Sequence, residues 1–132
     1  MNNNTPTADE SAYVLVVDDE GANRYSVSKT LQRVGYIVSE AANGEEALEI
    51  MGKQTFDVVL TDIRMPGLDG VELLRRLNDL PARIPSIVIS GHGDVPMAVD
   101  AMKAGALDFI EKPFEDEVLI EAIRRAAVEL DQ

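Results

Sequence analysis

The residues best suited to chemistry in this chain are three aspartates, a serine and a lysine. Asp18 and Asp19 stand side by side, and Asp62, Ser90 and Lys112 follow at wide spacings. Carboxylate oxygens suit Mg²⁺, which typically takes one or two of them together with water and phosphate oxygens. A carboxylate is also a nucleophile that can accept a phosphoryl group. An ammonium and a hydroxyl then supply the charge and the hydrogen bond that stabilise such a group.

Five short apolar runs position these side chains. The first, 13–17, is a continuous run rich in β-branched residues, as strands buried on both faces of a parallel sheet are. Asp18 and Asp19 come directly after the first run, Asp62 after the third, and Lys112 shortly after the fifth, while Ser90 ends the fourth. The predicted strands are 13–17, 36–40, 57–61, 86–90 and 106–110.

Amphipathic segments between the runs predict helices. The first, 20–34, ends before Gly35, and the second is opened by Asn43 and Glu46, a pattern that resembles a capping box. The third covers 71–78, and Asp94 is placed to cap a fourth that reaches residue 103. The last carries its apolar face on Leu119, Ile123, Ala126 and Leu130.

This alternation predicts an α/β fold, a (βα)5 doubly wound parallel sheet of five strands. Each connection is long enough to hold a helix, so the strands are expected to run parallel. With the strand order 2-1-3-4-5, the order reverses between the first and third strands, where open sheets bind ligands. Asp18, Asp19 and Asp62 would converge there, flanked by Ser90 and Lys112.

Length and composition limit the remaining possibilities. The 132 residues fit one domain, predicted over 12–132, with a disordered leader over 1–11. The formal net charge of −12 argues against direct binding to nucleic acid or to an anionic membrane. The chain has no cysteine, which excludes disulfides and thiol chemistry. No apolar run reaches the roughly 20 residues of a membrane span.

Four motifs, in this order and each at a predicted strand end, resemble a response-regulator receiver domain of the CheY-like fold. The resemblance covers about residues 13–130 and is strongest to the FixJ-like branch of the family. The motifs are LVVDDE at 15–20, TDIRMPGLDG at 61–70, SGH at 90–92 and KPF at 112–114.

The resemblance implies a role for each site residue. Asp62 would be the phosphoacceptor and would share Mg²⁺ with Asp19 directly and with Asp18 through water. The backbone carbonyl of Arg64 would complete the protein's share of the metal shell. Lys112 would pair with the acceptor carboxylate and then with the phosphoryl group, and the Lys112–Pro113 bond would be cis.

The resemblance also implies a switch and its partners. Ser90 would move to hydrogen-bond a phosphoryl oxygen, and Phe109 would turn inward to fill the space it leaves. A sensor histidine kinase would supply the phosphate in the cytoplasm, and the domain would catalyse only its own phosphorylation and dephosphorylation. The fourth helix, fifth strand and fifth helix would form the output surface and a possible homodimer contact, acting through an output domain or effector.

Plainer interpretations stay open from the residues alone. Asp18 and Asp19 are also typical caps of a first helix, Ser90 a simple strand-end hydroxyl, and Phe109 a core residue. His92 is the sole histidine and is expected to be a solvated loop residue. The sequence leaves two alternative functions, a Mg²⁺-dependent phosphatase on a related sheet and an interaction module without phosphorylation. Arg64 stands where such a phosphatase needs an acid.

Overall fold

Five strands alternate with five helices in the residues described by the computed structural model, which are 12–81, 83–91 and 94–129. The predicted leader over 1–11, His92 and Leu130 lie outside the described residues. The elements are β1 (Tyr13–Val17), α1 (Gly21–Arg33), β2 (Ile37–Ala41), α2 (Gly44–Met51), β3 (Val58–Asp62), α3 (Gly70–Asn78), β4 (Ser86–Ser90), α4 (Val95–Lys103), β5 (Asp108–Glu111) and α5 (Asp116–Glu129).

The strands form one parallel sheet in the order β2-β1-β3-β4-β5, which confirms the predicted topology. Successive residues of a strand face opposite sides of the sheet. Val14 therefore packs in the core layer shared with α1 and α5, whereas Leu15 packs in the layer under α2, α3 and α4. Because both faces are covered, β1, β3 and β4 carry long apolar runs, whereas the edge strands β2 and β5 are partly exposed. Within the described residues, no helix has the length and apolar content needed to cross a membrane.

Several predicted strand bounds need correction. β2 and β3 each begin one residue later than predicted, so Asp62 is the last residue of its strand instead of the first residue after it. β5 begins at Asp108, two residues late, because Ala106 N–H turns back to the Ala101 carbonyl at the end of α4. Gly105 makes this turn possible with a φ of +112°. Tyr13 is 43% exposed, so β1 is not buried along its whole length.

The helix starts confirm one predicted cap and contradict another. Asn43 accepts a hydrogen bond from Glu46 N–H at 2.7 Å, as the capping-box pattern predicts. The Glu46 carboxylate accepts its hydrogen bond from Ala42 N–H instead of from the N–H of the cap residue. Asp94 precedes α4, but within the described residues its side chain accepts no bond from an amide of that helix. Its carboxylate instead binds Arg64 and the Gly91 amide.

Candidate functional site

The three aspartates named from the sequence lie together at the carboxyl edge of the sheet. One carboxylate oxygen from each of Asp18, Asp19 and Asp62 lies within 4.8 Å of the others. Asp18 follows β1 and Asp62 ends β3, and these neighbouring strands flank the position where the strand order reverses. The cluster therefore occupies the place at which open parallel sheets bind ligands.

The backbone around Asp62 is tightly held. Ile63 N–H donates a hydrogen bond to Asp62 Oδ1 at 3.0 Å, and Gly70 N–H donates one to the Ile63 carbonyl at 3.0 Å. A Cβ at Gly70 would lie 2.6 Å from the Asp62 carbonyl oxygen, which is closer than any side chain tolerates. Gly70 thus lets the first turn of α3 pack directly against the backbone of the predicted acceptor.

Asp18 is fixed by contacts that do not cap a helix. Its Oδ1 accepts a hydrogen bond from Glu20 N–H at 2.9 Å, and Glu20 itself precedes α1 without a side-chain capping bond in the described chain. Arg24 Nη1 donates to the Asp18 carbonyl at 2.7 Å, while Arg24 Nε donates to Glu40 at 3.0 Å. The interpretation of Asp18 as a helix cap is therefore wrong. Arg24 is a supporting residue that sequence reasoning missed.

Lys112 brings positive charge to the cluster. Its Nζ lies 3.8 Å from Asp62 Oδ1, and its backbone N–H donates to the Ser90 carbonyl at 2.8 Å. This bond joins the ends of β4 and β5 and places Ser90, which is 3% exposed, at the same edge of the sheet. The Lys112–Pro113 peptide is cis, as the resemblance implies.

The electrostatics of the cluster leave it short of positive charge. The pKa of Asp62 is raised from 3.8 to about 6: burial raises it most, Lys112 opposes the rise, and the negative charge of Asp18 adds to it. Burial likewise raises the pKa of Asp18. Two buried carboxylates repel each other when both are ionised. A cation that shares the site stabilises their ionised forms. Three carboxylate oxygens within reach of one ion are a donor set that fits a hard divalent cation such as Mg²⁺.

Two further predicted residues are Arg64 and Phe109. Arg64 follows Asp62 by two residues, and its guanidinium points to Asp94, with Nε 2.8 Å from Oδ1. Phe109 lies on β5 and is 41% exposed, so the interpretation of Phe109 as a core residue is wrong in this conformation. The resemblance implies that Phe109 turns inward in the phosphorylated state. The exposed side chain seen here is consistent with the state before that movement.

The fold and the site together define a CheY-like signalling domain. Residues 14–124 match the sequence model of the response regulator receiver domain. The chain belongs to that family.

The proteins to which the chain is similar include FixJ, in agreement with the resemblance of its motifs to the FixJ-like branch. The chain is 56% identical over 117 residues to the transcriptional regulatory protein FixJ of Rhizobium meliloti, an alignment that covers 89% of this chain and 57% of FixJ. It is 44% identical over 118 residues to the C4-dicarboxylate transport transcriptional regulatory protein DctD of Pseudomonas aeruginosa, covering 89% of this chain and 26% of DctD. The crystal structure of FixJ-N superposes with a TM-score of 0.85 at 54% identity, covering 89% of this chain and 94% of that one.

These matches confirm the receiver family and the fold. The chain spans between about a quarter and a little over half of the length of these curated relatives. Their names describe transcriptional regulators, and the part of them that this chain matches is the receiver domain.

Proposed function

We propose that the domain predicted over residues 12–132 accepts a phosphoryl group on Asp62 from a phosphohistidine of a sensor histidine kinase. The observation that carries this proposal is the convergence of Asp18, Asp19 and Asp62 within 4.8 Å, with Lys112 3.8 Å from the Asp62 carboxylate. A simple turn residue needs neither the neighbouring carboxylates nor the ammonium. Both are what a transferring phosphoryl group requires.

The transfer converts the Asp62 carboxylate into an acyl phosphate. One carboxylate oxygen attacks the phosphorus in line with the bond to the histidine nitrogen. The new P–O bond forms as the P–N bond breaks, and the electron pair stays on the imidazole nitrogen. Attack by water on phosphorus later releases inorganic phosphate and restores the carboxylate. With a pKa of about 6, Asp62 is mainly ionised and nucleophilic at neutral pH.

The neighbours of Asp62 divide the work of stabilising this group. Lys112, now paired with the carboxylate, is placed to hold a phosphoryl oxygen after transfer. Ser90 ends the adjacent strand and offers a hydroxyl to a second oxygen. A bound Mg²⁺, held by Asp19, by Asp62, by Asp18 through water and by the carbonyl of Arg64, would neutralise the charge that builds up on the phosphoryl oxygens.

The proposed output is a change of surface shape. Movement of Ser90 toward the phosphoryl group would leave space for Phe109 to turn inward, which alters the face formed by α4, β5 and α5. A local charge change that biases a two-state element is the common form of such switches. The same face would serve for homodimer formation. It would control transcription through an output domain, as the names of FixJ and DctD indicate for those relatives.

Other contexts remain compatible with the same chemistry. The domain would act as the receiver of a longer regulator, as a separate regulator of an effector protein, or as an intermediate in a phosphorelay. In each case its catalysis is confined to its own phosphate. A cytoplasmic location belongs to the proposal, because the kinase needs ATP to load its histidine.

Acetyl phosphate provides the direct test. The chain is incubated with acetyl phosphate, with Mg²⁺ or with EDTA, and intact mass is measured over time. The expected result is a gain of one phosphoryl group that requires Mg²⁺ and disappears in Asp62→Asn. Asp79→Asn is the matched control, because Asp79 is an exposed aspartate at the end of α3, outside the cluster. Asp79→Asn is expected to behave as wild type.

Two outcomes would contradict the proposal. Absence of any Mg²⁺-dependent adduct would exclude the phosphoacceptor role, and an adduct that persists in Asp62→Asn would place it elsewhere. Sustained turnover of many small phosphoesters would favour the phosphatase instead.

A further inference from the structure

The start of α4 differs from the starts of α2 and α3, which also have polar cap residues. Asn43 and Asp69 have extended backbones, and each side chain accepts a hydrogen bond from the amide three residues later. Asp94 stands in the same position before α4, with φ −95° and ψ 28°, yet it binds no amide of α4 among the described residues. Its side chain is 10% exposed, so its charge needs partners elsewhere.

Those partners come from two different loops. Arg64 Nε donates to Asp94 Oδ1 at 2.8 Å, and Gly91 N–H donates to Oδ2 at 3.2 Å. Arg64 comes two residues after Asp62, and Gly91 comes directly after Ser90. Both donors to the Asp94 carboxylate are thus close neighbours of the two residues that, under the proposed function, engage the phosphoryl group. We call these two contacts of Asp94 the Asp94 latch.

The apolar packing of α4 is modest. The helix buries two alanines, Ala98 and Ala101, which contribute far less apolar area than leucine or isoleucine would. Three of its larger apolar side chains are exposed, Val95 at 62%, Val99 at 46% and Met102 at 41%, and Met97 is half-buried against the core. A helix with so small a buried face depends on the contacts at its ends for its position.

The far end of α4 has a polar contact of its own. Asn78, the last residue of α3, donates a side-chain hydrogen bond at 2.6 Å to the carbonyl of Ala104, which ends α4. This contact lies at the opposite end of the helix from the acidic cluster. Of these side-chain contacts described at the two ends of α4, the Asp94 latch is therefore the one that lies next to Asp62 and Ser90.

We propose that the Asp94 latch holds the first turn of α4 in the unphosphorylated domain and opens when Asp62 is phosphorylated. The inference rests on the proposed function. A phosphoryl group adds negative charge two residues from Arg64, which draws the guanidinium away from Asp94. A bond from Ser90 to the phosphoryl group moves the adjacent Gly91 N–H away from the same carboxylate.

Release gives Asp94 the role that its type and position favour. An aspartate before a helix normally accepts from the amide three residues later. For α4 that amide belongs to Met97. Opening of the latch therefore exchanges one set of bonds for another: the Gly91 amide loses its acceptor, and the Met97 amide gains one. The first turn of α4 is reorganised while its far end stays in contact with α3.

Amide hydrogen exchange of the whole chain tests the latch, with Arg64→Ala as the perturbation. Arg64 is 67% exposed, so the variant is expected to fold. In the unphosphorylated variant, exchange at Gly91 should be roughly three- to tenfold faster, and exchange at Met97 slower. General loosening of the region would speed exchange at both amides. Arg76→Ala is the matched control, since Arg76 forms a 3.3 Å pair with Glu72 on the exposed face of α3.

A second variant separates release from capping. Asp94→Ala should speed exchange at Gly91 without slowing it at Met97, because alanine cannot cap. Beryllofluoride mimics the phosphoryl group. With Mg²⁺, it should change the exchange rates of the wild-type chain as Arg64→Ala does, with faster exchange at Gly91 and slower exchange at Met97. The latch is overturned if Arg64→Ala has the same exchange rates at Gly91 and Met97 as Arg76→Ala, or if Arg64→Ala makes exchange faster at both amides. A beryllofluoride adduct that leaves both amides unchanged overturns the latch alone, whereas absence of any adduct overturns the proposed function as well.

Discussion

Replacing Asp62 by asparagine should stabilise the metal-free domain at neutral pH. Burial and the charge of Asp18 raise the pKa of Asp62 from 3.8 to about 6, which means that the folded state disfavours the ionised carboxylate. Asparagine keeps the size of the side chain and its acceptor for Ile63 N–H, and removes the charge. One pKa unit corresponds to about 1.36 kcal/mol, so the gain in the free energy of unfolding should be about 3 kcal/mol.

The gain should depend on pH with a definite sign. Between about pH 4 and pH 6 folded wild-type protein binds more protons than unfolded protein, so its stability falls as pH rises through that window. Asp62→Asn lacks this titration. Its advantage should therefore be nearly complete at about pH 7.5 and shrink below about 1 kcal/mol at about pH 4.

Urea unfolding in EDTA at several pH values measures this difference. The two proteins should unfold with the same dependence on urea concentration, so that a shift in midpoint reports stability. Asp79→Asn is the control and should change stability by less than about 0.5 kcal/mol, because Asp79 is an exposed residue outside the cluster. A variant that is no more stable than wild type, or a gain that is as large at pH 4 as at neutral pH, would refute the electrostatic reasoning.

Three further predictions concern the metal and the residues that support the site. Mg²⁺ should raise the melting temperature of the wild-type chain but raise that of Asp19→Asn far less, because the ion loses a carboxylate; equal rises would argue against a metal here. Gly70→Ala should cost about 1–3 kcal/mol in unfolding free energy, since its Cβ would lie 2.6 Å from a backbone oxygen, whereas Gly52→Ala, with 3.4 Å to its nearest neighbour, should be nearly neutral; equal effects would contradict the close approach. Arg24→Ala should weaken Mg²⁺ binding by releasing the backbone of the acidic pair, and Arg33→Ala on the same helix should not; unchanged affinity in both would exclude this supporting role.

The parts of the fold that could be predicted from the sequence are those with local signals. Short apolar runs predict the strands, and the spacing between them predicts helices and hence a parallel sheet. Parallel strands end at one edge, so the positions of Asp18, Asp62 and Lys112 along the chain, together with the strand order 2-1-3-4-5, predict their convergence. The Asn43 cap was likewise visible, because its partner lies three residues away.

The parts that failed depend on contacts between distant residues. Asp94 carries the local signal of a helix cap, but an arginine 30 positions earlier takes its carboxylate. Arg64 was selected for its backbone carbonyl alone, and nothing in the motif indicated where its side chain would point. Arg24 is an ordinary arginine on an amphipathic helix until the fold brings it against the carbonyl of Asp18.

The start of β5 shows a similar limit at the level of the backbone. Ala106 and Leu107 continue an apolar run that is typical of a strand. The turn at Gly105 commits the Ala106 amide to the end of α4, however, and the Leu107 amide bonds to the Ser86 carbonyl. The regular strand therefore starts at Asp108.

The most direct measurement of the central claim is the position of the phosphoryl group in the chain. The domain is phosphorylated with acetyl phosphate and Mg²⁺, treated with borohydride, and digested for peptide mass mapping. Borohydride reduces an aspartyl phosphate to homoserine, which marks the acceptor. Homoserine at position 62, and none in the EDTA sample, is the predicted result. Homoserine at another aspartate, or phosphorylated protein without homoserine at position 62, would contradict Asp62 as the phosphoacceptor.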